Sequence, residues 1–125
     1  MDIHAESPHV IVADRLQQAA RDLAHITRTL QYPSDSYELL GQLVATQRVL
    51  GQIFTQLADW HASAQDGIHF NGEDGRGAGQ AAGVIRAELA LREAAELADK
   101  TDDAVMLALT ANGVIRWFDD RQDGS

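Results

Sequence analysis

Between Leu39 and Ala58 the chain reads LLGQLVATQRVLGQIFTQLA, twenty residues with one charge, Arg48. Leu39, Leu43, Leu50, Ile53, Leu57 and Trp60 recur at heptad spacing, with Thr46 as the polar member of the seam. A second apolar set, Leu40, Val44 and Phe54, runs beside it. At 100° per residue the two sets span roughly 200°, about twice the apolar arc that a surface helix needs. The pattern predicts a helix over 35–64 that is covered on more than one side. Gly41 and Ala45, four apart, would let another backbone come close. The remaining strip, Arg48, Gln52, Thr55, Gln56 and Asp59, is rich in uncharged amides, which suit a contact formed without stripping ions of water. Two readings stand side by side: the central helix of a monomeric bundle, or a helix that also forms a homodimer seam or receives a partner helix.

The flanking patterns are also helical. Ser7-Pro8 reads as an N-cap followed by proline at the first helical position. Val12, Leu16, Ala19, Leu23, Ile26 and Leu30 then alternate at spacings of four and three, predicting an amphipathic helix over 8–30. Its outward face carries Arg21, His25 and Arg28. Asp35 with Glu38 resembles a capping box at the entry to helix 2. The run QDGIHFNGEDGRGAG, 65–79, holds five glycines, and the Gly-rich loop is placed over 65–77. An alanine-rich helix 3 over 78–99 follows, with Val84, Ile85, Leu89 and Leu91 turned inward. Thr101-Asp102-Asp103 reads as a cap with acids in the first turn, placing helix 4 over 102–118. Because no glycine or proline separates helices 3 and 4, one long kinked helix is the alternative. The expected fold is all-α, an up-and-down four-helix bundle: a single domain over 1–118, then a frayed tail over 119–125.

Charge narrows the partners. Nineteen acids against ten bases give a net charge of −9, which disfavours unassisted nucleic-acid binding. The acids concentrate in residues 65–125, so a partner of that half is expected to be basic. There is no cysteine, which excludes disulfides, zinc-thiolate sites and thiol nucleophiles and fits a reducing cytoplasm. The acidic, polar N-terminus carries no apolar run to serve as a signal peptide, and the amides of 39–58 argue against a membrane span. Twenty alanines and nine arginines against a single lysine suggest a GC-rich coding genome.

Several constellations invite chemistry. His61 and Ser63 lie two apart on a helix and project about 200° from each other, so a hydrolase triad with Asp66 fails on geometry. His61, Asp66 and His69 could ligate a metal if the loop folds back; the alternative is a buried, hydrogen-bonded His61 near the helix end. Gly77-Ala78-Gly79-Gln80-Ala81-Ala82 formally matches G-x-G-x-x-A but lacks the preceding strand. Arg76 beside a helix N-terminus could attract an anion, opposed by Glu73 and Asp74. Trp117-Phe118 read as core plugs, or as a partner-binding hot spot. Glu93, Glu96, Asp99, Asp102 and Asp103 form the densest acidic set.

In LREAAELADKTDDAV the Glu93-x-x-Glu96 pair resembles half of the carboxylate cage of the all-α nucleotide pyrophosphohydrolases of the MazG type. That resemblance implies Mg²⁺ held against a triphosphate, but helix 2 offers a lone Glu38 where the second pair would stand. The run YELLGQLVATQRVLGQIFTQLADW, followed by a glycine-acid loop and an acidic helical hairpin, is similar to small uncharacterised acidic helical proteins of GC-rich actinobacteria, some on mobile elements. This likeness spans 35–118 and implies a fold and a host without an activity. The expected role is a non-catalytic interaction, assembly or regulatory protein, cytoplasmic and homodimeric, with no cofactor. Its contacts are expected at Arg48, Gln52, Thr55 and Gln56, and at Arg21, His25 and Arg28. The alternatives are an acidic, antitoxin-like inhibitor of a nucleic-acid enzyme's basic site, and the Mg²⁺-dependent hydrolase.

Overall fold

A computed structural model describes residues 7–74 and 82–121. Among them are three α-helices, α1 (Pro8–Ile26), α2 (Asp35–Ser63) and α3 (Ala82–Asn112), and a short 3-10 turn at Asp119–Arg121. The described residues form no strand; a lone bridge joins Asp66 and Phe70. The all-helical class holds, and the count of four helices is corrected to three.

The correction has a local cause at Thr101. Its hydroxyl donates to the Leu97 carbonyl one turn back (2.9 Å), so it bonds within a continuing helix instead of capping a new one. With no glycine or proline in the run, the backbone passes through TDD unbroken, and predicted helices 3 and 4 are one helix of 31 residues. That helix ends at Asn112, short of 118. Gly113, Val114 and Ile115 donate to Leu109, Ala111 and Asn112 in a closing turn. The predicted helix start at 78 lies outside the described residues.

At α1 the predicted cap is present: Ser7 Oγ accepts from the Val10 N–H (3.1 Å), and Pro8 opens the helix. The helix stops at Ile26, not Leu30. Thr27 is the C-cap, its N–H bonded to Leu23 and its hydroxyl to Ala24. No α1 residue is buried, and Val12, Leu16 and Ile26 of its apolar stripe are all exposed.

The chain separates into two compact units. One contains α1, the turn after it and the C-terminal segment from Trp117. Within it, the Asp119 carboxylate accepts from both the backbone N–H (2.9 Å) and the hydroxyl of Ser34. These two bonds, side chain first, hold the Asp119 carboxyl below its ordinary range. Position 119, where the sequence suggests the frayed tail begins, is therefore tied down.

The second unit, Tyr37–Arg116, is an antiparallel hairpin of α2 and α3. Arg48 meets Asp102, Gly51 lies against Ala98, and Asp59 meets Arg92, so each step along α2 is a step back along α3. The contact line is built from small side chains. Val44, Gly51 and Ala58, seven residues apart, are the buried positions of α2, and Ala98 is that of α3. A Cβ added at Gly51 would sit 3.6 Å from the Ala98 Cβ and 3.9 Å from the Ala95 carbonyl, which measures how closely the two backbones approach. Nothing lies within 4 Å of such a Cβ at Gly41, so the close approach expected there is instead found ten residues on.

Candidate functional site

The α2–α3 contact line divides the hairpin into two unlike faces. At 100° per residue from Gly51 and Ala98, positions 48, 55 and 59 of α2 and 88, 92, 99 and 102 of α3 rotate to one side. This side is ionic. Arg48 Nε donates to Asp102 Oδ2 at 3.1 Å, and Arg92 joins Glu88 (2.8 Å) and Asp59 (3.1 Å). Glu88 first and Asp59 second raise the Arg92 pKa above its ordinary value. Asp102 is the more enclosed partner of its pair, its side chain 15 % exposed against 59 % for Arg48. Its other oxygen, Oδ1, is buried with no hydrogen-bond partner among the described residues.

The opposite side is mainly apolar. Leu43, Leu50, Phe54 and Leu57 of α2 rotate there beside Gln47 and His61, with Ala90, Ala94, Leu97, Thr101, Ala104 and Ala108 of α3. Leu43, Leu50 and Phe54 are half-buried; Leu57 and Leu97 remain 44 % and 53 % exposed. The ten leucine, phenylalanine, alanine and threonine positions carry no charge. Among the charges of α3, Arg86 rotates to the same angle as Ala104, near the N-terminal end of the helix, and Glu93 and Lys100 stand along the outer edge of the face.

Where α2 ends, the loop after it folds on itself. Gly67 N–H donates to Phe70 (2.7 Å), His69 N–H to Gln65 (2.8 Å), and Gly72 N–H to Asp66 Oδ1 (3.0 Å). Gly67 supplies the positive φ of 86° that this turn requires. Glu73 then reaches the first turn of α3: its two oxygens accept from Gly83 N–H (2.8 Å) and Val84 N–H (2.9 Å). The chain's own carboxylate thus fills the anion position of that helix N-terminus. A pocket of about 350 Å³ lies here, lined by Trp60, His61, His69, Phe70, Val84 and Ala87 among others. Trp60 stands edge-to-face with both His61 and His69, at centroid distances of 5.0 and 6.4 Å.

The histidines have bonds of their own. His61 is half-buried, with Nδ1 2.7 Å from the Leu57 carbonyl, the hydrogen-bonded arrangement expected for an imidazole near a helix end. His69 Nδ1 accepts from the Gln65 N–H (2.9 Å). Asp66 Oδ1 is bonded to Gly72, and Ser63 donates to the Trp60 carbonyl. Among the described residues no three histidines or carboxylates are placed to hold a metal ion, a statement that covers Glu93, Glu96, Asp99 and Asp102. Arg76 and nearly all of the G-x-G-x-x-A stretch lie outside the described residues.

Of the contact strip read from the sequence, Arg48 is engaged by Asp102 and Thr55 bonds back to the Gly51 carbonyl (3.0 Å). Gln52 and Gln56 are exposed. Arg21 and His25 are exposed on α1, whereas Arg28 falls in the turn beyond that helix. Sequence reasoning missed two elements. The Glu73 cap spans ten residues to Gly83, beyond the three-residue spacing of a capping box. The Val44–Gly51–Ala58 seam pairs with alanines, and the available signal was a glycine at heptad spacing from two small apolar residues. No described helix is long and apolar enough to cross a membrane. No family model, curated protein or solved structure matches the chain.

Proposed function

We propose that this is a non-catalytic interaction, assembly or regulatory protein, working in the cytoplasm through its helix surfaces as a homodimer. The observation that supports the reading is the contrast between the two faces of the α2–α3 hairpin. The buried apolar side chains among the described residues are small or medium-sized, Val44, Ala58 and Ala98, while the larger Leu57 and Leu97 stand open on an uncharged face. A two-helix layer buries little by itself; helical domains gain most of their stability by packing an apolar face against another layer. Of the α3 acids that the acidic-inhibitor alternative would use, Asp102 and Glu88 are already paired with arginines of the same chain.

The test is affinity capture with tagged protein, comparing the natural chain with a Leu57→Asp/Leu97→Asp variant and a Glu96→Gln/Asp103→Asn variant. The reading expects stoichiometric capture of a protein, a second copy included, lost with the first variant and kept with the second. The opposite pattern, with binding that falls steeply with salt, would favour the acidic inhibitor. A chain that captures nothing but hydrolyses a nucleotide in Mg²⁺ or Mn²⁺ would overturn the non-catalytic reading.

A further inference from the structure

We infer that the uncharged face is covered by a second copy of this chain, packed so that α2 of each hairpin lies on α3 of the other about a two-fold axis parallel to the helices. This rests on the homodimer reading above and adds the face and its geometry. Three observations carry it.

The first is area. The uncharged positions run from 43 to 57 on α2 and from 90 to 108 on α3, about 21–27 Å at 1.5 Å per residue, and two helices side by side are about 18–20 Å wide. The footprint is roughly 400–500 Å² per copy, about 800–1,000 Å² in all, which reaches the lower limit of a specific interface. The second is charge. In a chain of net −9, association with itself must avoid bringing acids together. The acids of α3 at 88, 99 and 102 lie on the ionic side; of the charges that border the uncharged face, Glu93 is the single acid, and Arg86 and Lys100 are basic, so two copies can meet there with little like-charge contact between acids.

The third is shape. On the uncharged face α2 contributes large side chains, Leu43, Leu50, Phe54 and Leu57, whereas α3 contributes mostly alanines with the single Leu97. Large residues pack best into facing small ones. Stacking α2 on α2 would crowd leucine against leucine and leave a gap between the alanine helices. Stacking α2 on α3 matches large to small along the whole length. An axis parallel to the helices allows no axial offset, so the register within one hairpin also applies between copies. Leu43 then lies over the partner's Ala104 and Ala108, and Leu57 over the partner's Ala90 and Ala94. The result is a four-helix bundle assembled from two hairpins, each helix antiparallel to both its neighbours.

The chain has no cysteine, so single labels are clean. Glu38→Cys and Ser63→Cys place spin labels at opposite ends of α2, both on exposed positions away from the face. Light scattering gives the mass and pulsed dipolar spectroscopy the label distances. The proposal expects a dimer, with both variants giving similar separations of about 30 Å, a diagonal of helix spacings plus the labels. If α2 instead crosses α2, the two axial separations sum to at least about 75 Å wherever the axis falls, so one or both variants must read about 40 Å or more. That result overturns the arrangement and leaves an interaction protein. A monomer at about 100 μM overturns the second copy as occupant, and the capture experiment then decides separately whether another protein binds. Thr101→Arg and Leu97→Asp, both at exposed positions, should each give a folded monomer. A dimer that survives both changes also overturns the proposal.

Discussion

Gly51 offers the sharpest check on how closely α2 and α3 approach. Glycine inside a helix costs about 1 kcal/mol relative to alanine, so Gly51→Ala should recover about that much provided its methyl finds room. The room is there: the nearest atoms would be Asp99 Oδ1 at 3.5 Å, the Ala98 Cβ at 3.6 Å and the Ala95 carbonyl oxygen at 3.9 Å. These are ordinary contact distances, and burying one methyl group adds up to about 0.8 kcal/mol. Gly41→Ala, where nothing lies within 4 Å, carries the helix-propensity gain alone and serves as the control. Urea titrations followed by circular dichroism, at one fixed protein concentration, should show both variants stabilised by about 1 kcal/mol, with Gly51→Ala equal to or above Gly41→Ala. On heating, that corresponds to a rise of about 4 °C or more in Tm for a unit this size. Gly51→Leu should lose about 1–3 kcal/mol by forcing the helices apart. If Gly51→Ala is destabilising while Gly41→Ala stabilises, the helices sit closer than contacts of 3.5–3.9 Å allow and the small-residue seam lies elsewhere.

Three further outcomes follow from the same geometry. Arg48→Ala should destabilise more than Asp102→Ala in the same urea assay, by about 1 kcal/mol, because it strands a carboxylate whose Oδ1 is already without a partner. Glu73→Ala should cost about 1 kcal/mol and Glu73→Gln less, since the amide keeps one acceptor for the Gly83 and Val84 N–H groups; amide exchange at those two residues would report it. Asp119 has a folded-state pKa below its ordinary 3.8, so its tie to Ser34 is fully favourable above about pH 4 and is lost as the pH falls below that. The Ser34 amide resonance should therefore move at acid pH in the natural chain and be insensitive there in Asp119→Asn.

The parts legible in the sequence were those with a single local cause. Ser7-Pro8 announced α1, the apolar arc of 39–60 announced α2, and the glycines from Gly67 onward announced the connection. The sequence left helices 3 and 4 open between two helices and one long one because Thr-Asp-Asp has two local solutions, and the single helix is what forms. A threonine hydroxyl can cap a new helix or bond back one turn, and at Thr101 it bonds back to Leu97. Arg48 holds Asp102, and the helix continues through it. The width of the apolar arc on α2 was readable, but not which half of it would meet α3. The leucine-rich half looks like the stronger seam by side-chain area, yet the hairpin closes on Val44, Gly51 and Ala58, where small residues let the backbones approach and gain dispersion contacts along their whole length. The capping role of Glu73 depends on a loop path that no periodic pattern encodes.

The ion pairs of the hairpin also order its assembly in time. Asp59–Arg92 closes a separation of 33 residues and Arg48–Asp102 one of 54. Loop-closure entropy makes the second about 0.4 kcal/mol dearer than the first if each forms alone, but once the first has formed only a short segment remains to be closed. The hairpin is thus built to zip from the Trp60 end towards Tyr37, with its seven-residue rungs at Ala58, Gly51 and Val44 engaged in that order. Substitutions near Ala58 should then slow folding, while those near Val44 should chiefly speed unfolding.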